Sequence, residues 1–233
     1  MVTGRDVDIK INTKEIYRYL GYRGSAPEEE IAKKIDSCVE EVVEVSELRG
    51  LYEKFPLSFS SHDTFLIGDI EIVSEDLGKN LNGCEYVYLM GATIGIGIDR
   101  LIARASVSDM TKATIFQAVG AAYVEEYCDY INEEIRRLEC REGMALRPRF
   151  SPGYGDFTLE NQENLFRLLN LSKHVGISLT DSMLMSPSKS VTAIIGVRPM
   201  DAEGEAEEDR KPHSGKKKDC STCNKKDCTF REG

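Results

Sequence analysis

Apolar residues recur at helical spacing in some stretches of this chain and alternate or run together in others. Ile31, Ile35, Cys38, Val39, Val42 and Val43 fall on one face of "SAPEEEIAKKIDSCVEEVVEVSEL" (25–48), which predicts an amphipathic helix. Ser25 can cap it, Pro27 suits its first turn, and the acids that follow favour the positive helix end. The longest helix is predicted over 109–141, with Phe116, Val119, Tyr123, Tyr127, Ile131, Ile135 and Leu138 on one face. Ser106 with Asp109 has capping-box spacing, Gly143 ends the run, and the small Gly120, Ala121 and Ala122 allow another element to approach closely. Shorter helices are read in "TKEIYRYLGY", "EDLGKNLNGC" and "LENQENLFRLLN" (159–170). Residues 51–73 alternate and are β-leaning, "EYVYLMGATIG" reads as a buried strand, and 177–197 reads as two strands joined through "SPSKS".

Helices and strands interleave, but the β segments cluster and include a hairpin. This predicts an α+β fold, a single domain with a twisted antiparallel or mixed sheet flanked by helices, and not a doubly wound parallel sheet. The formal charge of −10 argues against nucleic-acid binding, which needs a basic surface. No apolar run approaches the ~18 residues of a membrane span. The N-terminal stretch "MVTGRDVDIKINTKEIYRYL" is charged throughout, so no signal peptide is expected there, and the 7 cysteines suggest reduced thiols or metal ligands in a cytoplasmic protein. From Pro199 the texture changes to an acidic block followed by a basic one, almost without core-forming residues, which predicts a disordered linker over 199–219. Residues 201–233 hold 9 acids and 8 bases, so the acidity belongs to the part that folds.

Between the last two predicted helices lies "RPRFSPGYGD" (147–156). Arg149 can clamp a carboxylate through two parallel donors. Pro152 and Gly153 fix a tight turn where a ligand can approach the backbone, and Tyr154 offers a ring and a hydroxyl. Such a loop suits an anionic or zwitterionic small molecule. It is equally the composition of a plain surface connection.

Arg149, three residues, then Gly153-Tyr154 resembles the S-adenosylmethionine-binding pattern of the reactivation domain of cobalamin-dependent methionine synthase. Downstream, "LTDSMLMSPSKSVTAIIGV" (179–197) is similar to that family's second motif, and the helices around the loop come in the family's order. The resemblance is close over 85–198, the implied S-adenosylmethionine-binding core, and looser over 1–84, the N-terminal helical and β part of the domain. It implies that Arg149, Pro152, Gly153, Tyr154, Ser190 and Ile195 bind S-adenosylmethionine, with no catalytic acid or base. The methyl group would pass to a reduced cobalamin carried by a separate corrinoid protein, a methionine synthase or a relative. The electron would come from a flavodoxin- or ferredoxin-type donor. Where the family places an aromatic pair, this chain has Ile195 and Gly196, and for the family's acidic ligand near the start of the domain the candidates are Asp63 and Asp69. A non-catalytic S-adenosylmethionine sensor or corrinoid-protein assembly module is the alternative.

In the tail over 220–233, "CSTCNKKDC" sets Cys220, Cys223 and Cys228 at spacings that suit zinc or an iron–sulfur cluster, with His213 or another subunit available as a fourth ligand; free thiols are the other reading. Cys38, Cys84, Cys128 and Cys140 stand singly and are expected in the core or on the surface. "GATIGIGIDR" has the wrong glycine spacing for a dinucleotide loop, and its glycines suit a turn from strand into helix.

Overall fold

A computed structural model describes residues 9–22 and 26–200 in full and 2–3 as backbone. Its elements in chain order are β1 (Val2–Thr3), α1 (Thr13–Tyr19), α2 (Glu29–Val45), β2 (Arg49–Phe59), β3 (Thr64–Ile67), β4 (Ile70–Val73), α3 (Glu75–Asn80), β5 (Tyr86–Thr93), α4 (Gly97–Ser108), α5 (Met110–Cys140), β6 (Met144–Leu146), α6 (Asn161–Leu169), α7 (Leu171–His174), β7 (Ser178–Leu179), β8 (Met185–Ser186) and β9 (Ser190–Pro199). The main sheet is antiparallel with order β4-β3-β2-β5-β9-β6, and β1 lies against the start of β2. The expected α+β class with flanking helices is therefore the fold observed.

Two apolar layers sandwich the sheet. Tyr88, Met90 and Ala92 of β5, with Ala193, Ile195 and Val197 of β9, face the core under α1, α2, α4 and α5. Val87, Leu89 and Ile194 point the other way, toward α3, α6 and α7. Because both faces are covered, these two strands are apolar almost continuously rather than in alternation. That is why "EYVYLMGATIG" was readable as a buried strand.

Several local expectations change in the structure. The long helix is capped by Asp109, whose carboxylate accepts from the Lys112 N–H at 2.9 Å. Ser106 belongs to the preceding helix α4, which was not read from the sequence as a separate element, and its hydroxyl donates to Ile102 O at 2.8 Å. Phe116 to Ile135 form the buried stripe as predicted, but Leu138 is 45% exposed and Glu139 takes the inward position. Steps of four carry the stripe from Ile131 through Ile135 to 139. There the hydroxyls of Tyr86 and Tyr88 donate to the Glu139 carboxylate at 2.6 and 2.7 Å, which is what allows a carboxylate inside. Gly120 meets Ile98 of α4 and Lys189, so this small position of α5 does admit close neighbours. Residues 177–197 are not one hairpin: β7 pairs with β8 in a separate two-stranded ribbon, and β9 joins the main sheet. Ser25 and the segment from 201 onward, with Cys220, Cys223 and Cys228, lie outside the described residues.

Candidate ligand-binding site

The loop over 147–156 is created by a misregister at the sheet edge. Leu146 pairs with Val197, and Arg147 N donates to Gly196 O at 2.8 Å. Phe150 exchanges two backbone hydrogen bonds with Ile194, at 2.9 and 2.8 Å. Two residues, Pro148 and Arg149, therefore stand opposite the single Ile195. This is a β-bulge, and proline, which has no N–H to contribute, fits its unpaired position. The bulge sends the two arginines to opposite faces. Arg147 lies over Gly196 on the α3 side, where its Nη2 donates to Asn82 O at 3.1 Å. Arg149 turns with Ile195 toward α5.

There the Arg149 side chain is only 7% exposed, and its Nη1 donates to Asp129 Oδ1 at 2.6 Å while Nη2 donates to Glu125 Oε2 at 3.1 Å. Burial opposes the charged guanidinium, but Cys128 and the Asp129 and Glu125 carboxylates outweigh it and leave its pKa above the ordinary value. Cys128, fully buried beside it, has its thiol pushed up to about 12 by burial, so it is no nucleophile.

Beyond the bulge the loop is braced onto α3. Gly153 and Gly155 take positive φ of 97° and 54°, a region that disfavours side chains, and a Cβ at Gly155 would lie 2.1 Å from Asp76 Oδ2. Gly153 N donates to Phe157 O at 2.7 Å, and Phe157 N returns a bond to Tyr154 O at 3.0 Å. Asp156 accepts from Ser74 Oγ at 2.5 Å and from the N–H groups of Glu75 and Asp76 at 2.7 and 3.2 Å, at the N-terminus of α3. Pro152 is buried, whereas Tyr154 is 55% exposed with its ring edge-on to Phe150 at 6.2 Å. Partial burial works against the Asp156 carboxylate, but the Ser74 hydroxyl and the two amides hold its pKa below the ordinary value. A depressed carboxylate pKa contributes stability above the unfolded value of about 4 and loses it as pH falls through the folded one. The bracing should therefore weaken below about pH 4. Asp156→Ala should cost about 0.5–1 kcal/mol at neutral pH and flatten that acid limb in denaturant titrations.

Not every residue expected at the site is brought there. Arg149 and Ile195 meet at the bulge, and Pro152, Gly153 and Tyr154 follow from it around the sheet edge. Ser190 sits at the other end of β9, ~16 Å away at a strand's rise per residue. Its buried hydroxyl hydrogen-bonds with Thr93 Oγ1 at 2.9 Å and Pro187 O at 2.7 Å. Gly196 accounts for the missing aromatic: a Cβ there would lie 2.6 Å from Cys84 Sγ and 2.8 Å from Leu81. Of the two candidate acids, Asp63 is near the loop, since its carbonyl accepts from Ser74 N at 2.8 Å. Its carboxylate is held by Ser61 and Thr64, whose hydroxyl contacts lower its pKa. Asp69 pairs with Arg167 on the surface. Glu125 and Asp129 were missed. Their signal was an acidic pair four residues apart, a repulsive arrangement on one helix face that calls for a cation.

A family profile described as "Vitamin B12 dependent methionine synthase, activation domain" matches residues 76–203, more than half of the 233 residues. The chain belongs to this family. Among solved structures 13 chains match. One is titled "Crystal Structure of the MetH Reactivation Domain bound to AdoHcy", with a TM-score of 0.64 and 17% identity, covering 82% of this chain and 75% of that one. At that identity the likeness is one of fold. No curated protein matches. In this activation domain the family match takes in the whole bulge and loop, together with α5 and β9. Among the described residues no three His, Cys, Asp or Glu side chains gather as a metal site, and no helix is long and apolar enough to cross a membrane.

Proposed function

We propose that this activation domain binds S-adenosylmethionine at the bulge and presents it to a cobalamin carried by a separate corrinoid protein, supporting reductive remethylation. The observation that carries the reading is the loop at the sheet edge: a buried guanidinium on one side and a half-open tyrosine ring on the other, joined by a braced glycine turn. Tyr154 is 55% exposed, so a ligand can reach its ring from solvent. Arg149, Pro152, Gly153, Tyr154 and Ile195 form this site; Ser190 contributes by fixing the start of β9. The MetH structure with AdoHcy bound supports a ligand of this class.

Such a role asks the protein for positioning, not for acid–base chemistry. The sulfonium carbon is already electrophilic, and the electron pair for the new cobalt–carbon bond comes from cobalt reduced by a flavodoxin- or ferredoxin-type donor. Cys220, Cys223 and Cys228 belong to the same proposal, holding zinc or an iron–sulfur cluster close to that donor.

Titration calorimetry of the full chain with S-adenosylmethionine tests the reading, and an absence of binding heat would end it. Residues 1–200 should bind with the same affinity, because the bulge lies wholly within them. With a cob(II)alamin-bearing protein and a reductant, the full chain should support methyl transfer and the truncated one should do so more slowly. Binding without methyl transfer would instead identify a sensor or assembly module.

A further inference from the structure

We infer that Arg149 has one permanent and one exchangeable partner: Asp129 fixes the guanidinium, and Glu125 occupies the place that a ligand carboxylate takes. This rests on the reading of the bulge as the ligand site. The two contacts differ in ways that divide the roles. Asp129 is 26% exposed and bonds Nη1 at 2.6 Å; Glu125 is 47% exposed and bonds Nη2 at 3.1 Å. Arg149 itself is 7% exposed, and of its two partners Glu125 stands further into water, so it is the one that a ligand arriving from solvent can replace.

Charge points the same way. One guanidinium already faces two carboxylates, so a third anion arriving without a departure would leave two negative charges uncompensated in a partly desolvated place. Exchange keeps the balance: the ligand carboxylate takes Nη2, and Glu125 swings into water at little cost because it is half there already. Asp129, on a shorter side chain and more enclosed, keeps Nη1 and holds the plane of the guanidinium during the exchange. Selectivity follows: only ligands that carry a carboxylate repay the displacement.

Calorimetry with three ligands separates the possibilities: S-adenosylmethionine, AdoHcy, and 5′-methylthioadenosine, which lacks the amino-acid group. Glu125→Gln should tighten the first two by about two- to fivefold, the range of a half-exposed ion pair, and leave the third unchanged. Asp129→Asn should weaken the first two by about tenfold, since the guanidinium loses its anchor and its charge partner together. If Asp129→Asn does not fold, the surface Glu125→Gln decides alone. Unchanged or weaker binding of both amino-acid ligands by Glu125→Gln, with Arg149→Ala still impaired, overturns the exchange and leaves the site reading standing. Full-strength binding by a folded Arg149→Ala overturns the site reading and the exchange with it.

Discussion

Arg149→Ala should weaken S-adenosylmethionine binding by about 2–4 kcal/mol, the range for removing one member of a desolvated charge pair. Its effect on folding should be smaller. The variant leaves Glu125 and Asp129 facing each other across one helical turn, a like-charge pair worth about 0.2–0.5 kcal/mol on an exposed helix face, and both carboxylates have access to water. The buried stem of the side chain adds some lost packing. Arg149→Lys should recover part of the binding only. An ammonium is a point charge, and it does not span two separate carboxylates in the fixed fork that Nη1 and Nη2 provide. Calorimetry beside a thermal melt distinguishes the two effects. A folded alanine variant with unchanged affinity would remove Arg149 from the ligand site.

What was legible in the sequence was local. The stripe of α5 from Phe116 to Ile135 follows from helical spacing alone, and β5 was readable because a strand covered on both faces is apolar throughout. The loop was legible as composition, since proline and glycine at a turn have a steric reason wherever they occur. What escaped depends on partners distant in sequence. Whether position 138 or 139 faces inward was decided by two tyrosine hydroxyls on β5 that give Glu139 a place in the core. The destinations of Arg147 and Arg149 were decided by one extra residue against β9, which alternation along a single strand does not reveal. Ser190 was assigned by resemblance. The structure commits its hydroxyl to Pro187 O, three residues earlier, and to Thr93, 97 residues away on β5, and the second of these partners is not visible around Ser190 in the sequence. Asp156 read as the polar end of a loop, but its partners are 80–82 residues away at the start of α3.

The braced loop also has an apolar anchor, and removing it should have the largest effect on stability. Phe157 is fully buried and among the largest such side chains, packed with Phe150 at 6.2 Å between ring centroids and with the second core layer around Leu165 and Ile194. Phe157→Ala should cost about 3–5 kcal/mol, the transfer loss plus the cavity left behind. For a domain of this size that is a fall of about 10 °C in Tm, and a large part of a total stability of about 5–15 kcal/mol. The backbone contacts of Phe157 to Gly153 and Tyr154 do not depend on its side chain, so the turn keeps its hydrogen bonds but loses the ring that seats it on the sheet. Ligand affinity should then fall as well, because Tyr154 is placed through Phe150 and that turn. Phe157→Leu, which keeps most of the volume, should lose about 1–1.5 kcal/mol and bind ligand normally. Denaturant unfolding of both variants checks the pair. A loss below about 1 kcal/mol for the alanine variant would mean that the second core layer closes without this ring, and the loop would then be held by its hydrogen bonds and not by an apolar anchor.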